Sequence, residues 1–279
     1  VYSFMPKNAK NLTISLDGKT IRSTNRIKKI ESPVHIISAQ ISELGLTLAQ
    51  RCTDDKSNEI PAVQELLKTL NIKGQIVVAD ALNCQKKTAE IIIEKEADYL
   101  LCVKDGHPNL KKDIEDFMQD ETFQSTIEST SETEKNYGRI EKRTAYIVND
   151  IDWLRQKKDW KSLSCIGAVH TEFKTKNNNS SEWHYYISSR QLSPQQLLHH
   201  ARMEWSVESM HWLLDVHFEE DWCLIQDKVV QQHLNMFRKA AINLIKLFKE
   251  RTQTKRPISN IMLDCLIDLN YILCVVGEN

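Results

Sequence analysis

The stretch NLTISLDGKT, residues 11–20, alternates Leu12, Ile14 and Leu16 with polar residues and then meets an acid, Asp17, where the apolar run stops. That alternation predicts a half-buried β-strand carrying a carboxylate at its end. In α/β sheets the carboxy-terminal strand ends open onto the crevice that holds ligands, so a carboxylate there is placed to bind a metal or a substrate. Asp17-Gly18 also reads as a two-residue hairpin turn, and this segment alone leaves both readings open. Beyond Gly18 the β-compatible residues continue as Lys19-Thr20-Ile21-Arg22, and a second acid, Asp80, ends another apolar run, QIVVAD (75–80). A short, continuously apolar run of this kind predicts a buried strand, and an aspartate at its end serves either a site or the structure.

Working outward, residues 19–29 (KTIRSTNRIKK) hold Lys19, Arg22, Arg26, Lys28 and Lys29 and no acid. This suits a hairpin tip that touches phosphate, and equally a solvated basic turn. Val34 to Ser42 and Leu46 to Thr53 are two more β-rich runs on either side of Gly45, giving an antiparallel meander with the first strand. Ile60, Val63, Leu66, Leu67 and Leu70 recur at helical spacing before Gly74 and predict a crossover helix. A second amphipathic helix over Lys86 to Ala97 leads into a fifth strand, Asp98 to Lys104. The order β-β-β-α-β-α-β is a ribonuclease-H-like arrangement, an α/β fold with a mixed sheet in which acids ending the first and fourth strands sit side by side.

Further along, residues 120–135 are acidic and rich in Ser and Thr, and read as an exposed helix or loop. Tyr137 to Val148 places Arg139, Glu141 and Arg143 on one side at period two. Ser164 to Phe173 and His184 to Ser188 read as strands around an Asn-rich turn, so roughly 120–190 predicts an inserted β-subdomain. The remainder, roughly 193–279, reads as a helical part. Its richest stretch is ARMEWSVESMHWLLDVHFEED (201–221), read as one helix with Val207, Met210 and Leu214 along an apolar stripe. Glu204, Glu208, His211, Asp215 and Glu219 follow one another along another face. Trp205, Trp212 and Trp222 suggest packing on both sides, against the plainer reading of a solvated charged face. His211 and His217 do not share a helical face, which argues against a zinc site built on them. Leu234 to Lys249 predicts an amphipathic helix with Phe237, Ala241, Leu244 and Phe248 on one face. It runs into Lys246, Lys249, Arg251, Lys255 and Arg256, which favour the helix dipole as well as any polyanion. Ile258 to Val276 reads as a closing packing helix.

A chain of 279 residues with 41% apolar residues is globular and long enough for one large domain or two modest ones. Its 37 basic and 38 acidic residues leave a net charge of −1, so a nucleic-acid surface has to come from local clusters. Seven cysteines without a Cys-x-x-Cys pair argue against a zinc ribbon and against a disulfide framework; reduced thiols fit a cytoplasmic protein. No apolar run approaches the ~20 residues of a membrane span, and no signal segment opens the chain.

The stretches LDGKTIR (16–22), HIISA (35–39), residues 54–90, YGRIEKR (137–143), YYISS (185–189) and WSVESMHWLLDVHFEED (205–221) resemble bacterial DDE insertion-sequence transposases. The similarity is to the H-repeat-associated branch of the IS-four-like group, and it runs over nearly the whole chain, which implies a single catalytic domain over residues 1–279. It implies that Asp17, Asp80 and Glu208 are the catalytic acids and the ligands of Mg2+ or Mn2+, two ions in all. Such an all-oxygen set suits hard cations, and two ions about 3.5–4 Å apart support in-line displacement at phosphorus. The implied activity is DNA strand cleavage and strand transfer. The implied partner is double-stranded DNA, at transposon ends and target, with a homo-oligomer compatible with that role. Lys19, Arg22, Arg26, Lys28, Lys29, Lys104, Arg139 and Arg143 are candidate DNA contacts. Relatives carry a helical domain ahead of the first strand, so this chain is expected to be short at its N-terminus. They also carry His or Arg four residues before the glutamate, where Glu204 stands, Asn where Ser209 stands, and Lys-Gly-Asn-Gln where residues 104–107 read KDGH. A truncated, inactive relic that only binds DNA, or a metal-dependent nuclease, are the alternative readings.

Overall fold

Residues 11–22, 33–53, 58–120, 122, 126–136, 139–175, 178–225 and 227–277 are described by the computed structural model. Their order opens with strands β1 (Thr13–Thr20), β2 (His35–Ile41) and β3 (Leu46–Thr53), then helix α1 (Glu59–Thr69), β4 (Ile76–Ala79), α2 (Lys86–Glu94) and β5 (Asp98–Val103). This is the β-β-β-α-β-α-β order expected from the sequence. The chain divides into two compact units, one formed by residues 11–16 and 63–205 and the other by residues 17–62 and 206–277.

In the first unit the start of β1 lies parallel to β4, with Thr13 opposite Ile76 and Leu16 opposite Ala79. Strand β5 lies parallel on the other side of β4. All four residues of β4 are buried, as its unbroken apolar run requires. Next come α3 (Pro108–Gln119) and strands β6 (Glu128–Asn136), β7 (Arg139–Val148), β8 (Cys165–Lys174) and β9 (Asn179–Ser188). β9 pairs antiparallel with β5, and the sheet continues antiparallel through β8 and β7 to β6. The strands expected as an inserted subdomain therefore extend this sheet from the β5 edge.

β6 corrects the reading of its segment as a helix or loop. It has no apolar period to betray it, because it is an edge strand whose side chains are mostly Ser, Thr and Glu. The ladder to β7 holds it, aided by Ser131 and Thr144 hydroxyls 2.9 Å apart and by Glu134, which accepts from Arg143 at 3.2 Å. Helix α4 (Pro194–Glu204) starts with a capping box, Ser193 and Gln196 each bonding the other's backbone N–H, and has Pro at its first turn. Its Leu197, Leu198 and Ala201 close the core over Ile76, Val78, Leu100, Ala145, Ile147 and Tyr186. Gly167 makes this approach feasible, since a Cβ there would stand 2.7 Å from Leu197 Cδ2.

In the second unit β2 pairs antiparallel with β3 and lies next to the end of β1. Helices α5 (Ser206–Val216), α6 (Lys228–Thr252), α7 (Ile258–Ile267) and α8 (Leu269–Val276) complete it. Val207, Met210, Leu213 and Leu214 of α5 pack on Ile242 of α6. Two departures from the sequence reading matter. The helix expected over 201–221 is two helices, separated at Trp205, with Glu219 beyond the second in a left-handed conformation. The closing helix is also two, because Asp268 ends α7 and caps α8 by accepting from Asn270 N at 2.9 Å.

Candidate active site

Asp80 is the residue after β4. It is half-buried, and its Oδ1 accepts from both the backbone N–H (3.1 Å) and the side-chain amide (3.0 Å) of Asn83, while Oδ2 takes no part in that clasp. The surroundings are apolar: burial pushes the Cys102 thiol up to about 12, the charges of Glu204 and Asp80 adding to the effect while Lys104 opposes it. Cys84 is raised in the same way, with burial again the main cause. His107 donates from Nε2 to the Cys84 carbonyl at 2.7 Å and meets the Trp160 ring edge-on at 5.1 Å. His107 thus braces the loop after β5.

Asp17 lies within β1, which runs on to Thr20, so Asp17-Gly18 is not a hairpin turn. Gly18 has a different job. A Cβ there would come within 2.6 Å of His35 Nε2 and 2.9 Å of Glu59 Oε2, so glycine leaves room for a buried pair in which Nε2 donates to Glu59 at 2.9 Å. On the far side of that ring, Nδ1 is 2.9 Å from Thr20 Oγ1.

The side chains of Asp17 and Lys19 share one strand face, and α5 lies along it. His211 Nδ1 is 3.4 Å from Asp17 Oδ2, and one turn further Asp215 pairs with Lys19. The lengths match: four helical residues rise about 6 Å and two strand residues about 6.6 Å. Glu208 is exposed on the same helix face as His211, one turn earlier.

Lys19 also binds Glu220 at 2.8 Å, and its side chain is only 11% exposed. Glu220 is fully buried and accepts from Asn235 Nδ2 at 2.8 Å, with Arg238 3.4 Å away. Burial alone would raise its carboxyl, but the charge and hydrogen bond of Lys19, with Asn235 and Lys239, hold it below the usual range. Lys239, also buried, donates to Ser38 Oγ at 2.7 Å; burial draws it down to about 7, against the pull of Glu220. Burial, then the charges of Lys239 and Lys19, bring His211 down to about 3, so its ring is neutral near pH 7.

Residues 10–244 match the transposase DDE domain family. The chain belongs to the DDE transposase family. It is 34% identical over 275 residues to the "H repeat-associated putative transposase YhhI" of Escherichia coli strain K12, covering 95% of this chain and 71% of that one. It is 33% identical over 264 residues to the "Putative transposase YncI" of Escherichia coli O157:H7, covering 91% of this chain and 67% of that one.

The basic residues of this transposase chain divide into committed and open ones. Lys19 is bound to two acids; Arg143 is 12% exposed and pairs with Glu134 and Glu141. Arg139 stacks over the Phe173 ring at 4.0 Å and stands 3.8 Å from Glu141. Lys104 is exposed just past β5, and Arg22 is 79% exposed beside Asp221. Arg26, Lys28 and Lys29 lie outside the described residues. At the end of α6 the cations serve structure: Lys246 donates to the Gly45 carbonyl at 2.7 Å, Lys249 to the Arg256 carbonyl, and Arg256 pairs with Asp264 at 2.6 Å. Glu204, on α4, is separated from the α5 stripe by the break, and its charge acts on Cys102 and Tyr186. Among the described residues no helix is long and apolar enough to cross a membrane. Sequence reasoning did not single out Asn83, Glu220 or Lys239. The spacing Asp80 to Asn83 was the available signal for the first, while the other two carried none.

Proposed function

We propose that this chain is the catalytic part of a DNA transposase with a ribonuclease-H-like fold, cutting and joining double-stranded DNA through Asp17, Asp80 and Glu208. The observation that carries the reading is the strand register. Leu16 is opposite Ala79 on adjacent parallel strands, and each is followed directly by an aspartate. Glu208 stands one helical turn from His211, which reaches Asp17. The three are oxygen donors only, which suits Mg2+ or Mn2+, and none is sealed from solvent. Those residues would hold the ions, two by family likeness, whose chemistry when bound is to polarise the phosphoryl group and favour an oxygen nucleophile. The chain's own contribution is placement. Asn83 fixes one oxygen of Asp80, and the exposed cations Lys104 and Arg22, the latter also paired with Asp221, are suited to phosphates of the DNA backbone.

The test is incubation of the protein with supercoiled plasmid and Mn2+. Wild type should nick the plasmid and melt at a higher temperature with Mn2+ present, by the equivalent of about 2.7 kcal/mol at a hundredfold excess over Kd. Asp80→Ala should abolish both effects and keep DNA binding. Wild-type protein that binds DNA without either effect would be a relic rather than an enzyme.

A further inference from the structure

The α5 stripe reads Glu208, His211, Asp215, and its middle member is the one residue that is not an acid. Asp215 is spent on Lys19. His211 points into the protein, its side chain 15% exposed, with Nδ1 3.4 Å from Asp17 Oδ2 and Nε2 buried without a hydrogen-bond partner among the described residues. A buried polar ring atom left unmatched is costly, so the position is occupied at some expense to stability. Hydrophobic packing does not require an imidazole here, since Val207, Met210, Leu213 and Leu214 already supply the buried face of α5. The backbone on both sides is fixed, by that packing and by the Lys19 pairs two residues beyond Asp17. Asp80 has a counterpart arrangement, in which one carboxylate oxygen is held by Asn83.

We propose that His211 is a positioning residue for Asp17: its Nδ1–H holds Oδ2 and turns the carboxylate so that it meets a divalent cation in one orientation. The inference rests on Asp17 being a cation ligand. At 3.4 Å the pair stands just beyond ordinary hydrogen-bond range, as catalytic contacts often do before ligands bind, and a turn of the carboxylate toward the ring would close it. Partners that orient a metal ligand in this way change metal affinity by about 10–100-fold when removed.

Two polar variants separate positioning from packing. Asn places an amide N–H where Nδ1 stands, whereas Gln carries its amide out to the position of Nε2, and both keep the site polar and occupied. Mn2+ affinity of the full chain is measured by calorimetry, with no DNA and no turnover involved, alongside wild type and Asp17→Ala. His211→Asn should bind Mn2+ within about threefold of wild type, and His211→Gln about tenfold or more weakly, with metal-free melting temperatures alike for the two. Equal affinities for the Asn and Gln variants, whether both wild-type or both weakened, would overturn the proposal. Asp17→Ala binding Mn2+ as tightly as wild type would instead overturn the assignment of Asp17 as a ligand, a distinct result from failure of His211 alone.

Discussion

The two aspartates are supported by unlike neighbourhoods. Asp80 is held by one neutral residue three positions away, Asn83, against buried thiols and aliphatic side chains. Asp17 is followed two residues later by Lys19, which enters a buried set of charges drawn from four parts of the chain: β1, α5, the short turn Glu220–Trp222 and α6. The neutral clasp is local and costs little to maintain. The charged set must stay complete, because a buried ion without its partner is far more costly than the intact pair is stabilising. Breaking one member of such a set is therefore expected to cost more than the intact set contributes.

Removing a partner from each neighbourhood sharpens this contrast most. Glu220→Ala leaves Lys19, Asn235 and Lys239 without their shared acid and should destabilise by about 3–5 kcal/mol, read from denaturant melts. Asn83→Ala removes the side-chain amide's hydrogen bond to Asp80 and keeps the backbone one, and should cost only about 1 kcal/mol. Equal costs would break the comparison.

The same contrast explains what could be read from the sequence. Strand β4, the alternation of β1 and the helix–strand order are consequences of apolar periodicity, which is local, and they stand where the sequence places them. Helix α6 misled, because Phe237, on its supposed apolar face, is 64% exposed, whereas Gln231, Asn235 and Lys239 turn inward in the first half of the helix. Burial of polar residues has no signature in a hydrophobic pattern; it depends on Glu220 and Ser38, which are remote in sequence. The ion pairs of Lys19 are hidden for the same reason: a basic run does not disclose its partners in α5 and the following turn. The three acids proposed as catalytic were named from contiguous motifs, which a sequence displays directly. The histidine between Glu208 and Asp215 was visible on the stripe, but the direction it faces was not.

A smaller effect tests whether buried lysines behave as burial demands. Lys246 donates to the Gly45 carbonyl, and burial lowers it to about 8 from an ordinary 10.5. Between those values the folded protein has released a proton that the unfolded chain still carries, so stability rises with pH across that window and the penalty is fully present below it. Wild type should gain on the order of 1–2 kcal/mol between about pH 8 and 10.5. Lys246→Met should show a flatter curve there in melts followed by circular dichroism, and an unchanged slope would mean that water reaches the ammonium.

The smallest expected effect concerns the division between open and committed cations. Lys104 is exposed past β5, whereas Arg143 is largely covered and bound to Glu134 and Glu141. A cation that neutralises a DNA phosphate releases a counterion, so its loss lowers the slope of log affinity against log salt by about one. One that is already neutralised by carboxylates releases none. Binding of a fluorescent duplex, followed by anisotropy from about 50 to 200 mM salt, separates the cases. Lys104→Ala should reduce the slope by about one and leave the melting temperature alone. Arg143→Ala should leave the slope unchanged while loosening β6 and β7, because Glu134 and Glu141 lose the cation they share where the two strands pair. The reverse pattern would mean that DNA draws Arg143 out of its ion pairs, and that the charges holding the sheet edge together are also the ones that meet the substrate.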